Sequence, residues 1–418
     1  MSPEEIGFDS TRLERLERHL QRYVDSGSRP GTLVVIARGG RVGYVRAQGL
    51  RDAEQDLPVE ADTIWRIYSM TKPVTSVAAL MLWEEGLLSL DDPVARYLPA
   101  FEGVRVYERG AAAAPVTRPA RSEMTIWHLL THTSGLTYSG WHEHPVDEAY
   151  RNAGLDRGAT DEGTLADLAD RLGALPLLCD PGSEWNYSHS TDVLARVVEV
   201  VSGLSLEDVF RSRIFEPLGM HETGYTIAES QVERLAALYA FDVESGRARP
   251  APGQDRSRTE PRTFTGGGHG LVSTAADYHR FTHMLLRGGE LDGVRLLSSR
   301  TVELMTTNHL PGDVDIPSMS RPGVVSAQFP GHGFGLGFSV LIDPVAARTI
   351  ATRGAFAWSG AAGTEFWVDP AEELTVTFFS QVLGDGGPLR DELRRLVYQA
   401  LAPSGRAQGH RDNSPMSG

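Results

Sequence analysis

The 418-residue chain is poor in cysteine, in lysine and in long apolar runs. Cys179 is its only cysteine, which excludes a disulfide framework and a cysteine-based zinc or iron–sulfur centre. A lone thiol of this kind reads as a small buried apolar side chain. No segment approaches the ~18 consecutive apolar residues of a membrane-spanning helix. The first residues, 2–5, are polar and acidic, with no basic stretch leading into an apolar one, so a cytoplasmic protein without membrane attachment is expected. Positive charge is also short. Lys and Arg total 40 against 55 Asp and Glu, a net charge of −15 that repels phosphate backbones and argues against nucleic-acid binding. Two catalytic signatures are missing. Gly-x-Ser-x-Gly, the nucleophile elbow of α/β-hydrolases, occurs nowhere. His142-Glu143 and His221-Glu222 are followed at the metal-ligand spacing by Val146 and Tyr225, so neither completes a zinc-protease motif. No metal and no cofactor are expected.

Of the 40 cationic residues, one is lysine, Lys72, and 39 are arginine. Arginine stays protonated in proteins, whereas lysine can lose its proton in a suitable environment. A chain that uses arginine nearly everywhere therefore marks Lys72 as a place where a permanent charge is not wanted.

Residues 10–24 carry apolar side chains at helical spacing, Leu13, Leu16, Leu20 and Val24. Residues 33–37 and 42–48 are β-rich and flank Arg38-Gly39-Gly40-Arg41, a hairpin pattern. Residues 70–85 are apolar nearly all round, which suits a helix in the middle of a protein, with Pro73 tolerated in its first turn. Helices are also expected over 166–175, 191–202, 206–214, 275–287 and 389–401. Segments 109–120 and 244–263 read as loops, and 403–418 as a frayed tail. Strand patterns return at 333–342, 349–358, 363–368 and 374–380. At roughly 150 residues per domain the length suits two or three domains. The expected fold is α+β. An antiparallel sheet, flanked by the first and last helices, is built from residues 1–88 and 265–402, with a mostly helical region inserted at 89–264.

Lys72 closes the motif Ser69-Met70-Thr71-Lys72 at the head of the apolar helix. Positions i and i+3 share a helix face, so Oγ and Nζ can meet. A helix N-terminus favours developing negative charge, and a nearby lysine can activate a serine as nucleophile. Ser318-Met319-Ser320-Arg321 has the same spacing but ends in a residue that cannot act as a base. Asn186-Tyr187-Ser188-His189-Ser190 follows a turn and precedes a helix, so Tyr187 can project into a cleft and exchange protons there. Trp358-Ser359-Gly360-Ala361-Ala362-Gly363 ends a predicted strand. Its small residues let a substrate approach the backbone, whose N–H groups can hold an oxyanion. His128 and His132, four apart, are read as loop-bonding rather than metal-binding, His132 near the site.

In this order and at these separations the three motifs resemble the serine β-lactamase and penicillin-binding-protein superfamily, and within it the class C β-lactamase-like esterases (family VIII carboxylesterases). Segments 129–136, 266–271 and 333–337 match as well, and the resemblance spans roughly residues 5–402. It implies Ser69 as acylated nucleophile, Lys72 and Tyr187 as base system, and the backbone N–H groups of Ser69 and Ala361 as oxyanion hole. Substrate-binding positions would be Trp358, Ser359, Gly360, His189 and Tyr138. Two departures bear on substrate. His189 stands where the second motif usually has Asn, and Trp358 where the third usually has Lys. An indole offers no charge for a substrate carboxylate; it offers an apolar wall suited to an uncharged ester. The expected activity is hydrolysis of short-chain carboxylic esters through an acyl-enzyme, with acyl transfer when another alcohol or amine reaches that intermediate. The alternatives are an amidase, β-lactamase or DD-peptidase-like hydrolase, or a non-catalytic binding homologue. The expected partner is a small-molecule ester; oligomeric state, a homo-oligomer included, stays open.

Overall fold

The computed structural model describes residues 1–140, 142–155, 163–251, 258–321, 326–384 and 387–402. Its frame is an eight-stranded sheet. Three strands come from the N-terminal part: β1 (Gly31–Arg38), β2 (Arg41–Asp52) and β3 (Leu57–Pro58). Five come from the C-terminal part: β4 (His332–Phe334), β5 (Ser339–Leu341), β6 (Phe356–Ser359), β7 (Glu365–Asp369) and β8 (Leu374–Phe379). The order is β4-β5-β6-β7-β8-β1-β2-β3, antiparallel throughout. The halves join where β1 pairs with β8, Leu33 opposite Phe379 and Arg38 opposite Leu374.

Both faces of the sheet are covered, which is why β1 is buried along nearly its whole length. Successive side chains point to opposite faces. Val34 and Ile36 meet one core, Leu33 and Val35 the other. The first core is closed by α1 (Ser10–Asp25) and the last helix, Leu389–Tyr398, whose Leu13, Leu16, Leu20, Leu389, Leu393 and Val397 lie at helical spacing. Asp9 caps α1 by accepting the Arg12 N–H. The second core holds α2 (Thr71–Glu84), α3 (Ser190–Ser202) and α4 (Ala275–Leu286), with the last helix counted as α5. Helix α2 is buried from Thr71 to Leu82, as an all-round apolar helix should be. No helix among the described residues is long and apolar enough to cross a membrane.

The fold departs from the sequence reading in several places. The supposed loop at 109–120 contains the second arm of a hairpin, Arg105–Arg109 paired with Val116–Pro119. Its alternation is nearly all polar and exposed, so no hydrophobic period marks it. In the supposed loop at 244–263, Arg247–Pro250 is a strand paired with Tyr239–Asp242. The run 333–342 is two short strands turned back on each other, His332 opposite Leu341, with Gly337 at φ +106° in the turn. The run 349–358 is strand only from Phe356. Helix 206–214 ends as an α-helix at Phe210 and continues as a π-helical turn, Arg211–Phe215. The expected tail, 403–418, lies outside the described residues.

Two imidazoles are packed into this frame, His279 of α4 and His332 of β4. Burial, then His283 beside the first and Arg394 beside the second, push both down to about 4. An unfolded histidine titrates near ~6.5, so between those limits the unfolded chain binds protons that the folded chain does not. Their contribution to stability is complete above that range and is lost as the pH falls toward 4. The urea midpoint should therefore drop over that window. The double variant His279→Gln, His332→Gln should flatten this part of the curve; an unchanged slope would show that other groups cause it.

Candidate active site

Ser69 lies in a single 3-10 turn, Tyr68–Met70, immediately before α2. The sequence placed it at the start of the helix; the α-helix itself begins at Thr71. Tyr68 has φ +46°, a left-handed conformation that costs a side-chain-bearing residue on the order of 1–3 kcal/mol. Several contacts hold the turn in place. Ile67 N–H donates to Leu271 O at 3.1 Å, and Tyr278 Oη–H to Met70 O at 2.9 Å. Thr364 Oγ1 donates to Ile67 O at 3.4 Å. Gly360, at the end of β6, fits against the same turn because it has no side chain. A Cβ there would lie 2.5 Å from Ile67 O and 2.2 Å from Thr364 Oγ1.

Lys72 is 2 % exposed. Its Nζ donates to Ser69 Oγ at 3.3 Å and to Gly268 O at 2.8 Å. The same nitrogen lies 4.7 Å from the centre of the Tyr187 ring and 5.7 Å from that of Tyr138. Tyr138 packs edge-on to Tyr187 at 5.6 Å and to His189 at 4.3 Å. Ser69, Lys72, Tyr187, Tyr138 and His189 thus form one cluster. His132 supports it from the side, its Nδ1 bonded to Ser188 Oγ at 3.2 Å. Burial, reinforced by the Lys72 charge, holds the His132 imidazole far below its ordinary range, so it is neutral. His128 bonds its own helix start, accepting the Thr125 N–H at Nδ1. Among the described residues no three His, Cys, Asp or Glu side chains are grouped as metal ligands.

The glycine run 266–268 passes between α2 and α3 with no room for side chains. A Cβ on Gly267 would meet Ala195 Cβ at 2.3 Å and Thr191 O at 2.7 Å. Thr75 Oγ1 donates to Gly267 O at 2.7 Å. Asp192 accepts the Gly268 N–H at Oδ1, 2.7 Å, and bonds His189 Nδ1 at Oδ2, 3.1 Å. Burial opposes its ionisation, but the hydrogen bond from His189 and the neighbouring His189, His269 and Lys72 outweigh it. Its carboxyl is held well below the usual carboxylate range.

The third wall is the end of β6. Trp358 is 5 % exposed and packs against Tyr187 (5.3 Å), Phe334 (5.4 Å) and, stacked at 9°, Phe329 (5.5 Å). Ser359 Oγ accepts from Arg390 of α5 at 2.9 Å. In the following turn Gly360 N–H is taken by Thr364 O and Gly363 N–H by Gly360 O, whereas no acceptor among the described residues takes the N–H of exposed Ala361.

The profile of the family described as Beta-lactamase matches residues 16–400. The chain belongs to the beta-lactamase family. Esterase EstB of Burkholderia gladioli is a family relative 32 % identical over 417 residues, covering 95 % of this chain and 98 % of that protein. The solved structure of EstCE1, described as a hydrolase with promiscuous acyltransferase activity, superposes with a TM-score of 0.77 at 29 % identity, covering 93 % of this chain and 98 % of the other. Simvastatin synthase LovD from Aspergillus terreus superposes with a TM-score of 0.78 at 26 % identity, covering 96 % and 99 %.

Sequence reasoning about this beta-lactamase-family chain missed three site residues. Asp192 carried a visible signal, since it lies at i+3 from His189 on the helix after the second motif. Arg390 and Phe329 carried none, because neither lies within a motif or a matching segment and their contacts with Ser359 and Trp358 exist only in the folded chain. A fluorophosphonate probe should label Ser69, and Ser69→Ala should abolish labelling. Lys72→Arg should slow labelling at least about 100-fold, because a planar guanidinium does not fit between Ser69 Oγ, Gly268 O and the Tyr187 ring. A folded Arg variant labelled at the normal rate would remove Lys72 from the chemistry.

Proposed function

We propose that the protein is a carboxylesterase that hydrolyses short-chain esters through an acyl-enzyme on Ser69. The observation that carries the reading is the contact of Ser69 Oγ with the buried Lys72 Nζ, beside the Tyr187 ring. Ser69 attacks the ester carbonyl, and Lys72 with Tyr187 takes its proton. The backbone N–H groups of Ser69 and Ala361 hold the oxyanion; the open Ala361 N–H supports that assignment. The alcohol leaves with a proton from Tyr187. Water, admitted under the same base, then releases the acid. An alcohol or amine arriving first gives acyl transfer, a second outcome supported by the names of EstCE1 and of the Aspergillus terreus relative called monacolin J acid methylbutanoyltransferase.

Trp358 supports uncharged esters over lactams, and with them the reading of the chain as a family VIII carboxylesterase. Its ring closes an apolar wall with Phe329 and Phe334. His189, Tyr138, Ser359 and Gly360 line or support the substrate side. Turnover of p-nitrophenyl butyrate should exceed that of a chromogenic cephalosporin by orders of magnitude in kcat/KM. Equal values, or the reverse order, would sink the esterase assignment.

Tyr187→Phe removes one hydroxyl and should leave the melting temperature nearly unchanged. It should lower kcat by about 10²–10⁴, the range for loss of a general acid–base. Near-normal turnover in the Phe variant would exclude Tyr187 from proton transfer.

A further inference from the structure

Asp192 lies on the first turn of α3 with 1 % of its side chain exposed. A buried carboxylate is costly unless its oxygens are bonded and its charge is answered. The oxygens are bonded by Gly268 N–H and His189 Nδ1. Gly268 faces both ways, since its carbonyl accepts from Lys72 Nζ. A Cβ on Gly268 would lie 3.0 and 3.1 Å from the two carboxylate oxygens and 3.2 Å from Nζ. Nζ and the carboxylate are therefore no more than about 6 Å apart, within the range where a carboxylate favours the ionised form of an amine. Other polar groups facing Lys72 are Ser69, His132, Tyr138 and Tyr187. Those facing Asp192 are His189, His269 and Tyr225. Asp192 is the carboxylate of this set.

We infer that Asp192 is a positioning residue for the Ser69–Lys72 pair. Working through the Gly268 peptide, its carboxylate fixes the place of Nζ and stabilises the ammonium that Lys72 becomes on taking the Ser69 proton. The inference rests on the reading of Ser69 as nucleophile. In acylation the Oγ–H bond breaks and its proton goes to Nζ. Oγ bonds to the acyl carbon, and the carbonyl π pair moves onto oxygen. The cation created in that step lies opposite a carboxylate already fixed in place, so little has to reorganise. A base oriented by a third group is a recurring arrangement for activating a nucleophile.

The lone lysine gives a direct test. Lysine labelled with ¹⁵N at Nζ yields one side-chain signal in the full-length protein. In Asp192→Asn that signal should titrate at least about one pH unit lower than in the unsubstituted protein. The nitrophenol burst should slow tenfold or more, with the ester KM changed by less than about threefold. A signal that titrates within about 0.3 pH unit of the original overturns the inference, whatever happens to the rate. Should Asp192→Asn not fold, the Asp192→Glu and Asp192→Gln pair, alike in shape, repeats the comparison. Lys72 must then titrate at least about one unit higher in the Glu variant, and equal values overturn the inference. The titration needs no substrate. Its failure leaves the esterase reading standing, whereas a Ser69 that resists fluorophosphonate would remove that reading and leave the titration intact.

Discussion

A single buried amine organises the site. Lys72 is enclosed by Ser69 Oγ, the Gly268 carbonyl and two tyrosine rings. A charge in such surroundings is tolerated only where donors, acceptors and countercharge are in place. The other features follow from that requirement. The glycine run is free of side chains because its carbonyls must reach α2. Helix α3 brings Asp192 to the far side of the same peptide. The strained Tyr68 turn presents Ser69 to Nζ, and two loops and a helix each hold that turn by a separate contact.

The parts of the molecule legible in the sequence are those where burial is one-sided or complete. Helices α1 and α5 show leucines at helical spacing because only one face meets the sheet. Helix α2 shows none of that periodicity because every face is covered, and its all-round apolar character was itself the sign. Ser69 and Lys72 were legible because both lie within one turn. The Arg105–Arg109 and Val116–Pro119 hairpin was not, since only Val106 of its two arms is fully buried and no hydrophobic alternation results. Nor were Arg390 and Phe329, whose roles exist only after the sheet brings distant segments to the end of β6.

Trp358 illustrates how one position alters what a shared frame accepts. The indole packs against Phe329, Phe334 and Tyr187. A wall of this kind carries no charge, and shape and desolvation discriminate weakly among apolar groups. A site of this kind suits a range of uncharged acyl and alkoxy groups.

The pairing of β1 with β8 joins residues more than 300 positions apart. Contacts of such sequence separation form late, because a long loop must close before they bring any gain. Ser69 and Lys72 meet within one helical turn, but Gly360 comes against Ile67, at the head of that turn, only when β6 is docked through this closure. The Ser–Lys pair is thus assembled locally and the turn that follows β6 remotely. A chain emerging from the ribosome presents Ser69 and Lys72 long before it presents β6, so the candidate site is complete only with the last strands and not with the motif.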